Sequence, residues 1–202
     1  MIRHSMAGTP DLLAKNVSSC VINAGDGMNE HPTQSLLDLF TMREKFGTVK
    51  GLRVVMVGDI RHSRVARSNI WALSKMGAET VVVAPQTLLP KGIEDLGCEV
   101  SYDLEEAMIG ANVVMGLRLQ LERQKAGLFP SISEYSSKYA ITADNVYGIC
   151  ENALIMHPGP VNRGVEISSE MTDSDSSAIC EQVTNGVAVR MAVMDALAGE
   201  GR

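Results

Sequence analysis

The chain has 202 residues, a formal net charge of -6 and a hydrophobic fraction of 45 %. That size suits one large domain, or one domain and part of another, and the acidic balance argues against nucleic acid as a partner, since its binders carry basic surfaces. No apolar run approaches the ~20 residues that span a bilayer, Met1-Ile2-Arg3-His4-Ser5 holds no signal-peptide core, and Cys20, Cys98, Cys150 and Cys180 lack any zinc-like or CxxC spacing, so a cytoplasmic protein with reduced thiols, no membrane partner and no metal site is expected.

Thr9-Pro10-Asp11 predicts a helix start with proline at its first position. A short strand is expected at Cys20-Val21-Ile22, then a turn-rich loop, Asn23-Ala24-Gly25-Asp26-Gly27. A helix from about Pro32 to Phe46, closed by Gly47, carries Leu36, Leu37, Leu39 and Phe40 as an apolar stripe. One helix and one strand before residue 30 bury too little to stand alone. Residues 1–30 therefore read as the tail of another α/β domain, and 31–47 as a helix between domains.

From there, apolar β-branched runs alternate with helical patterns. Strands are expected at Val54–Val57, Thr80–Val83, Glu99–Ser101, Val113–Met115, Ala140–Thr142 and Leu154–Met156. Between them a helix runs from about Ser63 to Met76, closed by Gly77, and a weaker one covers Pro90–Leu96. Asp103 opens another, with Glu106 as its capping-box partner. Runs such as Val81-Val82-Val83 do not alternate, as befits central parallel strands. The fold class is α/β: a Rossmann-like, mainly parallel sheet with helices on both faces over 48–175, plus the tail of a second α/β domain. Within 176–202, a final helix to Leu197 places Val183, Val187, Met191 and Met194 at helical spacing, either as core packing or as a bridge back to the first domain.

Open parallel sheets bind ligands beyond the carboxyl ends of their strands. After Val57 the chain offers no GxGxxG but Arg61, Arg64 and Arg67 around a helix start, where free N–H groups and the dipole favour an anion; solvated arginines are the equal alternative. After Met115, Arg118 and Gln120 alternate with leucines and share one face of an extended segment, as a second carboxylate clamp or simply a wet face. After Met156, His157-Pro158-Gly159-Pro160 is a rigid turn, whether ordinary or one whose carbonyls receive an amide NH2. His31-Pro32-Thr33-Gln34 opens a helix; His31 either caps it or stays neutral there and donates to a carbonyl, with Gln34 one turn on able to hold an amide.

In this order NAGDGxxxHPTQSLLDL, GDIRHSRVARSN, RLQLER, MHPGPVNRGVEI and QVTNGVAVRMAV resemble the aspartate carbamoyltransferase family, from Ile2 to about Leu197. The resemblance implies transfer of a carbamoyl group from carbamoyl phosphate to L-aspartate, a step of pyrimidine synthesis, with no metal or organic cofactor. It implies that Arg3 contacts carbamoyl phosphate, that His31 polarises the carbamoyl carbonyl and that Gln34 holds its amide. Gly159 and Pro160 would receive the carbamoyl NH2 through their carbonyls; Arg64, Arg118 and Gln120 would hold aspartate. It further implies homotrimers in the full-length form, with regulatory or dihydroorotase chains as possible partners. Ornithine-directed relatives would carry a cysteine in the last turn, where this chain has His157-Pro158-Gly159-Pro160. A non-catalytic dicarboxylate-binding domain is the other alternative.

The family's Ser-Thr-Arg-Thr-Arg phosphate loop has no counterpart in these residues, nor has the lysine lent by a neighbouring subunit. Each missing charge-assisted hydrogen bond to phosphate is worth about 1.5–3 kcal/mol. The expected outcome is little or no carbamoyl-aspartate production by this polypeptide alone, and a steady-state assay checks it.

Overall fold

A computed structural model of the chain describes residues 1–119 and 131–199. At the amino end, β1 (Ile2–His4) and β2 (Asn23–Asp26) pair in parallel across α1 (Thr9–Ala14). The strand expected at Cys20–Ile22 thus lies further on, at Asn23–Asp26, within what reads as a loop. The Asp26 carboxylate is the reason. It accepts the Gly8 N–H at 2.8 Å, the Asn23 side-chain amide at 2.9 Å and the Glu30 N–H at 3.1 Å, which draws these polar residues straight against β1. The turn is displaced to Asp26–Asn29, where the Asn29 N–H reaches the Asp26 carbonyl at 2.9 Å.

α2 (Pro32–Phe46) follows as expected, and Gly47 ends it with φ at 75°. The main sheet then forms from β3 (Arg53–Gly58), β4 (Glu79–Val83), β5 (Glu99–Ser101), β6 (Val113–Leu117) and β7 (Leu154–Met156). All five strands are parallel, in the order β5-β4-β3-β6-β7. Val54 to Val57 and Val113 to Met115 are buried without alternation, because helices cover both faces. Between the strands, α3 (Arg64–Met76) packs on β4, while α4 (Leu104–Met108) packs on β3 and β4 and on α6 (Ala143–Ile149), which follows α5 (Ile132–Tyr139). α2 packs on α3, and α8 (Ile179–Gly199) packs on α2. α7 (Ser169–Thr172) is a single short turn before it.

Ser63 caps α3, its hydroxyl accepting the Ala66 N–H at 3.1 Å, and Gly77 closes it at φ 74°. Elsewhere the local reading needs correction. The helix expected over Pro90–Leu96 is only a 3-10 turn at Ile93–Leu96, confined between Gly92 and Gly97, both left-handed. At α4 only half the capping box forms: Asp103 accepts from the Glu106 N–H at 3.0 Å, but Ser101 takes the Asp103 N–H at 3.1 Å. Ala140–Thr142 makes only an isolated bridge from Ile141 to Ile167, outside the sheet. Thr142 there forms a capping box with Asn145, whose amide also donates to the Ala140 carbonyl at 2.9 Å, so the chain bends into α6. The last helix begins at Ile179, because the carbonyl of Ser176 and the N–H of Ala178 pair with Ile155 beside β7. Its residues Val183, Val187, Met191 and Met194 are exposed rather than core, and α8 turns Gln182 and Asn185 inward instead.

The ends of β3 and β6 approach each other closely. Gly58 sits at φ 144°, and a Cβ there would collide with the carbonyl oxygen of Leu117. Gly58→Ala is therefore expected to cost about 2–5 kcal/mol, combining backbone strain with overpacking. Denaturant unfolding checks it, and a loss below about 1 kcal/mol would contradict the packing described.

Candidate functional site

Strand order reverses between β3 and β6, since the chain runs outward through β4 and β5 before returning to β6. Such a switch point opens a crevice at the carboxyl ends of the strands. Here it is a cavity of about 340 Å³ lined by Arg3, His31, Gln34, Ser63, Arg64, Val65, Leu117, Arg118, Pro158, Gly159, Pro160 and Arg190. A larger, apolar groove between α2 and α8 has Arg43 as its one charged lining residue and offers no converging polar groups. The smaller cavity is the better candidate because specificity needs such groups.

Each side chain arrives on a different element. Arg3 comes from β1 and His31 from the residue before α2; Gln34 is in its first turn. Arg64 is the first residue of α3, directly after β3, and Arg118 directly follows β6. Pro158, Gly159 and Pro160 follow β7, with a cis bond between Gly159 and Pro160. Of the residues singled out in the sequence, Arg3, His31, Gln34, Arg64, Arg118, Gly159 and Pro160 meet here. Gln120 lies outside the described residues. Arg61 is elsewhere, exposed, with its guanidinium 3.4 Å from the Thr87 carbonyl. Arg67 is not among the lining residues either.

Sequence reasoning missed Arg190. It projects from α8 into the cavity, its Nη1 donating to the Gly186 carbonyl at 2.9 Å. A usable signal exists: Arg190 is the one charged residue between Val187 and Met194. The glycine beneath it matters, because a Cβ at Gly186 would lie 2.5 Å from the Arg190 guanidinium. Gly25 does the same for Arg64, whose Nη1 reaches the Gly27 carbonyl at 3.2 Å.

Among the described residues, four arginines and no carboxylate line this cavity, in a chain of net charge -6. The local field is therefore strongly positive, and the matching ligand carries several negative charges. His31 shares that field. Burial, then the nearby Arg64, Arg3 and Arg190, push its pKa down to about 4, so its ring is neutral near pH 7. It occupies the N-cap position of α2 but makes no side-chain cap hydrogen bond. Its backbone N–H donates to the Ser68 hydroxyl at 2.8 Å, and Ser68 in turn donates to Glu30.

Behind the cavity lies Asp38, fully buried on α2. Its Oδ1 accepts from the Gln34 amide at 3.0 Å and the Gln182 amide at 2.8 Å, and its Oδ2 from the Asn69 amide at 2.8 Å. Burial raises its pKa to about 6 against the lowering effect of these three bonds and of Arg190. The turn after β7 is braced twice. The His157 N–H donates to Gln182 Oε1 at 2.9 Å, and the His157 ring lies 3.3 Å from the buried Glu166. His157 Nδ1 also accepts the Gly159 N–H at 2.9 Å, which sets the bend inside the turn.

Two family models match: the Asp/Orn binding domain of aspartate/ornithine carbamoyltransferase over residues 50–197, and the carbamoyl-P binding domain of the same family over 1–44. The aspartate carbamoyltransferase catalytic subunit of Ruminiclostridium cellulolyticum is 61 % identical over 201 residues, covering 100 % of this chain and 64 % of that protein. That of Acetivibrio thermocellus is 60 % identical over 194 residues, 96 % of this chain and 62 % of its own length. The chain thus spans a little under two thirds of the curated relatives it matches. Among solved structures, Trypanosoma cruzi aspartate transcarbamoylase in complex with N-(phosphonacetyl)-L-aspartic acid superposes with a TM-score of 0.86 at 28 % identity, covering 96 % of this chain and 64 % of that one. Ornithine carbamoyltransferase from Pyrococcus furiosus gives a TM-score of 0.84 at 28 % identity over 98 % of this chain and 65 % of its own. With strand order, switch-point cavity and sequence in agreement, the chain belongs to the aspartate/ornithine carbamoyltransferase family.

Proposed function

We propose that the cavity holds carbamoyl phosphate and L-aspartate side by side, for transfer of the carbamoyl group to the amine of aspartate. The observation that carries this reading is the convergence of Arg3, Arg64, Arg118 and Arg190 on a neutral imidazole and a primary amide. Two dicarboxylate ends and a phosphate need several fixed cations, and arginine grips each through parallel hydrogen bonds. A cationic ornithine side chain would meet repulsion there, which favours aspartate. The bound N-(phosphonacetyl)-L-aspartic acid of the Trypanosoma cruzi relative joins the same two chemical halves.

The roles proposed for these residues are those that the family resemblance implies, and their meeting in one cavity supports them. Arg64 and Arg118 clamp the carboxylates of aspartate, a role the resemblance extends to Gln120. Arg3 engages carbamoyl phosphate. His31, neutral, donates a hydrogen bond to the carbamoyl oxygen, and the carbonyls of the Gly159–Pro160 turn together with Gln34 take its NH2. The amine attacks the carbamoyl carbon, a tetrahedral oxyanion forms facing His31, and the C–O bond to phosphate breaks. Orientation and electrostatic stabilisation of that oxyanion are the protein's contribution. On this reading residues 1–30 belong to the carbamoyl-phosphate domain, 31–47 to the connecting helix, 48–175 to the aspartate domain and 176–202 to the helix returning to the first. A homotrimer in the cytoplasm goes with it.

Titration calorimetry with L-aspartate, with and without carbamoyl phosphate, tests the assignment. Saturable aspartate binding is expected, weakened roughly 10- to 100-fold by Arg64→Ala or Arg118→Ala, as the loss of a charge-assisted pair implies. Equal affinity in wild type and both variants would overturn it.

The same protonation states govern stability. The folded-state pKa of His31 is depressed, so the unfolded chain binds its proton more tightly and stability falls as pH drops from 6.5 towards about 4. The folded-state pKa of Asp38 is raised, so its contribution falls as pH rises from 3.8 through about 6. The two nearly cancel over that window. His31→Asn is expected to expose the Asp38 slope, making stability decline relative to wild type from about pH 4 to 6, by at most about 1.4 kcal/mol per pH unit. Thermal unfolding across that range reads the difference, and parallel curves for wild type and variant would refute it.

A further inference from the structure

The cavity is built on two walls that come from opposite ends of the chain: Gln34 on α2, and the turn from His157 to Pro160 after β7. No hydrogen bond joins them directly among the described residues. Both are tied to Asp38. Gln34 Nε2 donates to Asp38 Oδ1 at 3.0 Å, and Gln182 Nε2 donates to the same oxygen at 2.8 Å. Gln182 then uses its own Oε1 to accept the His157 N–H at 2.9 Å.

The polarity of this chain of bonds has one direction. A buried carboxylate has only acceptors to offer. Facing it, each glutamine must present its NH2 and turn its carbonyl oxygen away. For Gln34 the oxygen is thereby left for the cavity; for Gln182 it is left for the peptide of the turn. Were Asp38 an apolar residue, either amide could flip, and a flipped Gln182 would set its NH2 against the His157 N–H. Asn69 occupies the other oxygen at 2.8 Å, which keeps the carboxylate from rotating.

We propose that Asp38 is the positioning residue of this cavity, fixing through Gln34 and Gln182 the two groups of acceptors that receive one NH2 group. The ligand part of this inference rests on the carbamoyl reading above: an NH2 between Gln34 Oε1 and the carbonyls of the Gly159–Pro160 turn is held only when both walls are in register. Asp38 itself does not line the cavity and touches no substrate.

Asp38→Asn keeps an oxygen for the two glutamines and turns an NH2 towards Asn69. Asn69 Oδ1 is buried without a hydrogen-bond partner, so a flip of that amide accepts the new donor. Asp38→Leu offers no acceptor and leaves both glutamine amides unpaired. A role in stability alone would make the two variants differ only in unfolding. A positioning role makes them differ in which ligand is preferred.

The test compares carbamoyl phosphate with acetyl phosphate, which carries CH3 in place of NH2, by calorimetry near neutral pH, alongside the side-chain amide NMR signals of Gln34 and Gln182. Wild type and Asp38→Asn are expected to favour carbamoyl phosphate by about tenfold or more, the discrimination of a site that hydrogen-bonds the missing group. Asp38→Leu is expected to bind the two about equally, with the Gln34 and Gln182 amide signals both moved and exchanging faster. If Asp38→Leu does not fold, Gln182→Met cuts only the arm to the turn. It should reduce the preference, shift the His157 amide and leave the Gln34 amide signal in place. An unchanged preference with unmoved Gln34 and Gln182 amide signals in Asp38→Leu, or, where Gln182→Met stands in, an unchanged preference with an unmoved His157 amide, would overturn the proposal. A wild type without any preference, but with amide signals that depend on Asp38, would retain the positioning role and remove the carbamoyl reading.

Discussion

Everything in the site depends on the parallel pairing of β3 with β6, two strands separated in sequence by two others. Their register runs from Val54 opposite Val113 to Gly58 opposite Leu117. Gly58 has no side chain, so the backbones stay close to the very end of the pair, where Leu117 lines the cavity. Because the sheet order reverses at that pair, α3 leaves to one face and the segment after β6 is not covered by the helix that follows β3. The crevice is the geometric consequence. Arg64 and Arg118 both line it, Arg118 directly following β6 and Arg64 opening the helix that follows β3.

Gathering four arginines around 340 Å³ brings mutual repulsion. The structure offsets this with backbone carbonyls and with shape. Gly27 and Gly186 lend oxygens to Arg64 and Arg190, and glycine at Gly25 and Gly186 leaves the space in which those side chains lie. Keeping His31 neutral avoids adding a further positive charge. Asp38 supplies a buried negative group that interacts with Arg190 and is not among the lining residues, so it does not compete for the ligand.

The helix α8 shows how two demands share one element. One side carries Gln182, Asn185 and Arg190, which serve Asp38, Thr41 and the cavity in turn. Another carries Val183, Val187, Met191 and Met194, exposed on this chain. Their helical spacing looks like that of a core stripe. Spacing records which residues share a face, and it does not record what lies against that face.

The sequence by itself determined the five buried strands of the main sheet, the helices at Pro32–Phe46 and Arg64–Met76 with their closures at Gly47 and Gly77, and the strand ends at which Arg64, Arg118 and the Pro158–Pro160 turn would stand. Those are local properties, set by hydrophobic period, backbone freedom and capping chemistry within a few residues. Its motif order also pointed to the family. Tertiary structure alone decided the rest. The extended Asn23–Asp26 depends on Gly8, far from Asp26 in sequence. Arg190 enters the cavity only because α8 returns to pack on α2. The Asp38 network joins residues as far apart as Asp38 and Gln182, and no local pattern encodes a hydrogen bond between positions 144 residues apart. Such bonds arise when burial strips water from polar groups and leaves them only one another as partners.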